Sequence, residues 1–252
     1  MILAVLSDIH GNLPALEAVL ADAHRAGAEL FLVAGDLLNG APYPAETLAR
    51  LRELPGLAIR GNVDQYLLDY HQRAGDPALQ RSARFASVRW TYAQAGPPGL
   101  EYLAGLPEQA VLDLPGTDAI RVVHGSPRRM DESLVPDRDP AALAVFHHSQ
   151  LLPPGRRPPE LSEALAGVAE ALLVCGHTHI PWVQAPGAGK MACNPGSVGL
   201  PINNDARAQY LLLRWGGAGG WQPEPRAVAY DRESARRAYA ARGLLEEGGA
   251  FA

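Results

Sequence analysis

Five short apolar runs in this chain break off abruptly into acids, imidazoles or an amide, and that pattern narrows the fold more than any other feature. Residues 2–6 lead into Ser7-Asp8-Ile9-His10-Gly11-Asn12, residues 30–34 into Gly35-Asp36, and residues 57–59 into Arg60-Gly61-Asn62. Residues 120–123 lead into His124-Gly125, and residues 171–175 into Gly176-His177-Thr178-His179. Short, wholly or mainly apolar, and ended by turn residues, each run reads as a buried strand. Between the first two, Leu13, Leu16, Val19, Leu20 and Ala23 recur at helical spacing behind Pro14, which predicts a helix over 13–25, before Gly27. Strand, helix, strand implies a parallel pair with a right-handed crossover. Ligands of such sheets sit beyond the carboxyl ends of the strands, so the polar residues there are expected to gather. Side chains at i and i+2 of an extended segment point the same way, which would bring Asp8 and His10 onto one point.

The rest of the chain elaborates this plan. A second helix is predicted over 44–54. From 65 to about 107 strand signals vanish, and helices over 81–93 and 100–106 flank a break at Gly96-Pro97-Pro98-Gly99. This stretch reads as a helical cap inserted into a single domain spanning 1–252. Trp90, Tyr92 and Tyr102 could stack on a substrate base, but helix packing is the preferred reading. Strands over 111–114 and 120–123 are joined by a Pro-Gly turn. Residues 128–159 are polar and proline-rich, a long loop with a short helix near 141–148 that carries His147 and His148 on the surface. A helix over 161–169, weak strands around Val183 and Met191, and the tight loop Asn194-Pro195-Gly196-Ser197-Val198-Gly199 follow. Antiparallel strands over 210–215 and 226–230 and an amphipathic helix over 231–245 complete the chain.

The 252 residues suffice for one large domain, and the formal net charge of −5 excludes a broad duplex-DNA surface, which would be strongly basic. It remains compatible with a nucleotide held through metal ions. Cys175 and Cys193 give no disulfide framework and sit in apolar surroundings, as buried thiols do in a reducing compartment. The first residues are too short and uncharged for a signal peptide, and no run reaches the length of a membrane span. A cytoplasmic location with no membrane partner is expected.

Collected together, the strand-end residues are Asp8, His10, Asp36, Asn62, His124, His177 and His179. Each has a plainer reading: Asp8 or Asp36 could cap a helix, Asn62 could belong to a turn, His124 could be a satisfied core histidine, and Gly-His-Thr-His could be a turn. Seven such residues at five strand ends outweigh those readings. Carboxylates, imidazoles and an amide suit Mn, Fe, Zn or Ni rather than Ca. Seven ligands are too many for one ion that must also meet substrate, but suit two ions sharing a carboxylate. Two ions ~3.5–4 Å apart can clamp a phosphoryl group and activate water for in-line attack.

In this order, Asp8-x-His10, Gly35-Asp36, Gly61-Asn62, His124-Gly125 and Gly176-His177-Thr178-His179 resemble the motifs of the calcineurin-like metallophosphoesterases, and the loop 194–199 resembles one common in their small bacterial phosphodiesterase branch. The resemblance implies an α/β fold, a four-layer αββα sandwich of two mixed sheets flanked by helices. It implies that Asp8, His10, Asp36 and His179 hold one divalent ion, Mn foremost, and that Asp36, Asn62, His124 and His177 hold a second, with Asp36 shared. Asp36, Asn62 and His124 would form the catalytic core. Asn12 would support the ligands or contact phosphate, with helix capping as its alternative role. Many members carry His directly after the Asn to assist leaving-group departure. Here Val63 stands there, and Asp64 follows as an ionised carboxylate with no proton to give. A positioned acid contributes ~10²–10⁴-fold, so activity is expected on nucleotide-type or aryl phosphodiesters rather than alkyl monoesters. The alternatives are a protein serine/threonine phosphatase, and a non-catalytic binding module such as the retromer scaffold subunit of the same fold.

Overall fold

The computed structural model describes residues 1–136, 161–187 and 189–241. The short helix expected near 141–148, with His147 and His148, lies outside them. Two five-stranded mixed sheets face each other. The first runs in the order β10 (Trp221–Val228), β9 (Ala208–Trp215), β1 (Ile2–Leu6), β2 (Leu30–Ala34) and β3 (Gly56–Ile59). The second runs β4 (Gln109–Leu112), β5 (Ile120–Val123), β6 (Leu172–Val174), β8 (Lys190–Pro195) and β7 (Pro181–Gly187). The pairs β1–β2, β2–β3, β5–β6 and β6–β8 are parallel; β1–β9, β9–β10, β4–β5 and β7–β8 are antiparallel.

The two-residue side-chain repeat of a strand divides each central strand between two cores. Leu3 and Val5 of β1 point into the layer between the sheets with Leu32, Ile120, Val122, Leu172, Val174 and Leu211. Ala4 and Leu6 point outward, toward Leu16, Val19 and Leu20 of α1 (Leu13–Arg25). The second sheet has its own outer layer, where Leu173 and Ala192 pack on Leu161, Ala164 and Leu165 of the helix Leu161–Leu165. Helix, sheet, sheet, helix is the expected four-layer sandwich. Strands buried on both faces must be apolar throughout, hence the continuous runs.

The helical stretch contains α2 (Pro44–Arg52), α3 (Asn62–Gln72), α4 (Pro77–Arg81) and α5 (Ala86–Gly105). Helix α3 carries no separate start signal in the sequence, because it begins at Asn62 itself. The expected gap at 96–99 shrinks to a kink at Gly96 (φ 60°, ψ −178°). Pro97 and Pro98 begin the second half of α5, where a missing N–H leaves no bond unmade. Leu67, Tyr70, Leu79, Val88, Leu100 and Leu103 of this stretch share one core with Leu6 and Leu16. Tyr92 packs edge-on against Tyr70, and Arg52 lies over the Tyr102 ring, so these aromatics do pack helices.

Strand β10 is longer than expected and starts at Trp221, despite Pro223 and Pro225. Both prolines share one phase of the strand repeat on an edge strand, where a missing N–H can face the open side. The C-terminal helix is described over Arg232–Ala241.

Asp22 of α1 ties the helix to the edge of the first sheet. Its Oδ2 accepts from Tyr210 Oη (2.7 Å) on β9 and from Arg226 Nη2 (2.9 Å) on β10. Burial opposes its ionisation, but the Tyr210 hydroxyl and the Arg226 guanidinium outweigh that and hold its carboxyl below 3.8. Asp22→Asn should therefore cost about 1–2 kcal/mol near neutrality, allowing for partial solvent screening. A lowered folded pKa gives stability that is full above the unfolded value and lost as pH falls through the folded one. Urea titrations should show the deficit at pH 7 and show it closing in acid below 3.8; an equal deficit in both would contradict the ionic role.

Candidate metal centre

All seven predicted residues follow the carboxyl ends of β1, β2, β3, β5 and β6. Loops that follow β1 and β2 run side by side. The N–H groups of Asp8, Ile9, His10 and Gly11 donate to the carbonyls of Gly35, Asp36, Asp36 and Leu37 at 2.8–3.0 Å. This prolongs the parallel pairing past the strand ends.

Within these loops the backbone departs from expectation. Asp8 and His10 are not extended: both are left-handed (φ 54° and 53°), as are Asp36 (52°), His177 (66°) and His179 (56°). They converge by a local coil rather than by strand alternation. Asn, Asp and His adopt this region more readily than other residues with a β-carbon, yet each instance costs on the order of 1–3 kcal/mol unless the surroundings enforce it. Close packing enforces it here. A β-carbon on Gly35 would lie 2.7 Å from both Gly61 N and His124 Nδ1, and one on Gly61 would collide with Asp36 Oδ1. Gly35 and Gly61 thus leave the space that His124 and Asp36 occupy.

Three histidines present the same face to the site. The Nδ1–H groups of His10, His124 and His179 point at the carbonyls of Asn39 (2.8 Å), Ala34 (2.7 Å) and Leu200 (2.6 Å). A backbone acceptor at Nδ1 leaves the Nε2 lone pair facing inward, the arrangement usual for metal-bound imidazole. His10 Nε2 and His179 Nε2 then face each other at 3.1 Å. Asp8 Oδ1 lies 3.2 Å from His179 Nε2 and accepts no hydrogen bond, although it is buried. Asp36 Oδ2 lies 3.9 Å from His10 Nε2 and 3.3 Å from His124 Nε2. Ligand atoms of Asp8, His10, Asp36 and His179 all fall within 4.8 Å of one another, close to the ~4–4.4 Å spanned by opposite ligands with bonds of ~2.0–2.2 Å. On the other side of Asp36, Asn62 Oδ1 faces His124 Nε2 at 3.0 Å and the His177 ring packs edge-on to His124 at 5.3 Å. Lone pairs aimed at lone pairs, with an orphaned buried carboxylate oxygen among them, fit a divalent cation.

The titration of these groups fits the same picture. Burial alone would discharge His124, but Asp36 and Asp8 beside it outweigh that and hold it up to about 9. Burial works against His179 too, yet Asp8 raises it. Burial and the neighbouring His179 lower His10, while burial and His124 push His177 down to about 4. Burial would raise both carboxyls, but His179 holds Asp8 low and His124 holds Asp36 low. Protons on imidazoles here do part of what a cation would do.

Several further residues support this edge. Asn12 is buried. Its Oδ1 caps α1 at Ala15 N, and its amide donates to Gly199 O (3.0 Å) and Tyr230 Oη (3.1 Å), so the capping alternative is the one observed. Asp64 stands at the third position of α3 and accepts from the N–H groups of Leu37, Leu38 and Gly61 at 2.9–3.2 Å. Burial and the nearby Asp36 push it up to about 7, so the charge-based reason for excluding it as an acid was incomplete. Its burial, with its oxygens turned onto the backbone, is the better reason. Asn39-Gly40 carried a turn signal whose consequence, a carbonyl that orients His10, was not legible. Asn194 joins two loops: its amide donates to Gly176 O (2.6 Å) and Thr178 Oγ1 (3.0 Å), and its Oδ1 accepts from Gly196 N (2.8 Å). Ser197 Oγ then donates to Asp8 O (2.7 Å). The loop 194–199 is therefore the clasp between the two ligand-bearing turns.

A sandwich of this topology with this histidine–carboxylate edge is that of the metal-dependent phosphoesterases. The family model described as the calcineurin-like phosphoesterase superfamily domain matches residues 1–215, so the chain belongs to that superfamily. It is 27% identical over 229 residues to the uncharacterized protein MJ0912 of Methanocaldococcus jannaschii, covering 84% of this chain and 82% of that protein. It is 40% identical over 84 residues to phosphodiesterase YfcE of Escherichia coli K12, covering 28% of this chain and 46% of the relative. Among solved structures, a metallophosphoesterase of Sphaerobacter thermophilus matches with a TM-score of 0.69 at 25% identity, over 98% of this chain and 95% of that one. The hypothetical protein PH1004 of Pyrococcus horikoshii OT3 matches with 0.75 at 24%, over the same shares.

Asn194→Asp tests the clasp. The change sets an acceptor against Gly176 O, removing a buried bond and costing about 2–3 kcal/mol. Loss of a partner that orients ligands should weaken Mn²⁺ binding ~10–100-fold, measured by calorimetry on protein shown to be folded by circular dichroism. Unchanged affinity would show that the clasp does not position the ligands.

Proposed function

We propose that this chain is a phosphodiesterase that hydrolyses nucleotide-type or aryl phosphodiesters at a dinuclear divalent-metal centre. The observation that carries this reading is the double convergence on Asp36. On one side stand Asp8, His10 and His179 with lone pairs facing one another at 3.1–3.2 Å, and on the other Asn62, His124 and His177. We assign the first ion to Asp8, His10, Asp36 and His179, and the second to Asp36, Asn62, His124 and His177. Bound there, two cations would draw charge from the phosphoryl oxygens and acidify a water. Mn is the first candidate, with Fe, Zn and Ni of similar suitability.

The chain's own part is to hold opposed charges in a dry, fixed geometry. Asp36 Oδ1 is kept in place by the Val63 N–H at 2.8 Å, which leaves Oδ2 toward both histidine groups. Val63 offers no proton to a departing oxygen, and Asp64 is turned inward. This favours diesters with weakly basic leaving groups and disfavours alkyl monoesters. The name of the YfcE relative supports the diester reading. The helical stretch about 65–107 would shape the substrate pocket. Among the described residues no helix is long and apolar enough to cross a membrane, and the two cysteines are free and buried. A cytoplasmic enzyme acting on a small phosphoester is the reading we adopt.

Purified protein given Mn²⁺ should hydrolyse bis(p-nitrophenyl) phosphate faster than an alkyl phosphomonoester by at least ~10²-fold. Asp36→Asn should abolish the activity, and Val63→His should narrow the gap between the two esters. Absence of turnover with every divalent ion tried would overturn the enzyme reading in favour of a binding module. Release of phosphate from phosphopeptides at comparable kcat/KM would favour a protein phosphatase.

A further inference from the structure

A cavity of about 480 Å³ lies between the rim of the metal centre and the helical stretch. Two of its lining residues are bonded directly to residues of the site: the Asn39 carbonyl faces His10 Nδ1, and the Val63 N–H holds Asp36. The cavity thus adjoins the backbone that holds His10 and Asp36. Its far wall is aromatic and aliphatic, with Tyr66, Tyr70, Phe85 and Val88 drawn from α3, the turn before α5, and α5. Tyr66 is 50% exposed, an unusual state for a large ring in this chain, and it sits on the wall of this cavity.

The polar lining is as informative. Arg73 is the one cation lining the cavity, and it is already paired with Asp76 at 2.9 Å. Asp69 adds a carboxylate to the same wall. A surface of that kind repels further phosphate and gives a flat, uncharged ring several apolar partners. Its volume lies within the ~300–1,000 Å³ typical of small-molecule sites.

We propose that this cavity binds an aromatic ester group of the substrate, a nucleobase or aryl ring, while the phosphate sits at the metal centre. The proposal rests on the phosphodiesterase reading and adds the subsite that receives the aromatic ester group. It assigns Tyr66 as a residue that determines specificity, by stacking on that ring. It also disfavours substrates that extend a polyphosphate chain toward the helices.

Two phosphonates of equal charge separate the ring from the phosphorus. With the Mn²⁺-loaded protein, phenylphosphonate should bind at least ~10-fold tighter than methylphosphonate, as expected for one ring stacked on an aromatic side chain. Calorimetry reads this without turnover, and competitive inhibition of diester hydrolysis reads it with turnover. Tyr66→Ala should reduce the ratio to near unity and Tyr66→Phe should retain it, because the ring rather than the hydroxyl makes the contact. Tyr66 is half exposed, so neither change is expected to compromise folding. Equal affinities for the two phosphonates in an active enzyme, or a ratio unmoved by Tyr66→Ala, would overturn the cavity assignment and leave the phosphodiesterase reading standing. Failure of diester hydrolysis while the phosphonate ratio holds would overturn the phosphodiesterase reading instead.

Discussion

Acceptor set against acceptor, inside a nearly dry edge of the sandwich, is the constraint on which the rest of this structure depends. His10 Nε2 faces His179 Nε2 at 3.1 Å, and Asp8 Oδ1 beside them accepts no hydrogen bond. Such groups repel unless a proton or a cation lies between them, and burial magnifies the penalty. With no positive charge to hold, this arrangement would be uncompensated repulsion. The left-handed turns at Asp8, His10, Asp36, His177 and His179 point the same way. Five residues held in a costly conformation, each next to a position where only glycine fits or where a side chain clamps the backbone, are typical of sites where function sets geometry.

The two sheets matter because they make that geometry rigid. β1, β2 and β3 on one side and β5 and β6 on the other end at the same edge, so ligands from distant parts of the chain arrive on neighbouring strands. The interior layer of Leu, Ile and Val leaves no freedom for one sheet to slide on the other. Around the edge, Asp64, Asn194 and Ser197 tie loop to loop with buried hydrogen bonds. Each of them holds backbone at or next to Asp36, His177 or Asp8.

Much of this was legible in the sequence, and the limits were physical. Apolar runs buried on two faces announce central strands, so β1, β2, β5 and β6 and the ligands behind them could be read directly. α1 was equally plain, with Asn12, Pro14 and Gly27 marking its ends. β10 reaches back to Trp221, beyond the stretch 226–230, because Pro223 and Pro225 are tolerated on a sheet edge. Residues 57–59 lead directly into Arg60-Gly61-Asn62, so the strand-end reading of Asn62 conceals that it is also the first residue of α3. The convergence of Asp8 and His10 was foreseen for the wrong reason: strand alternation was assumed, and a left-handed coil does the work. The roles of Asn39, Asp64 and Asn194 depend on contacts across 16 to 29 residues of sequence, which spacing alone cannot reveal. Nor could periodicity show the cavity behind Val63, whose walls come from separate helices.

The account predicts where charge must sit, and anomalous diffraction locates it. Crystals of the protein grown with Mn²⁺ should show two anomalous peaks ~3.5–4 Å apart on either side of Asp36 Oδ2, one beside Asp8, His10 and His179 and the other beside Asn62, His124 and His177. A single peak, or peaks away from Asp36 at full Mn²⁺ loading, would contradict the shared-carboxylate centre.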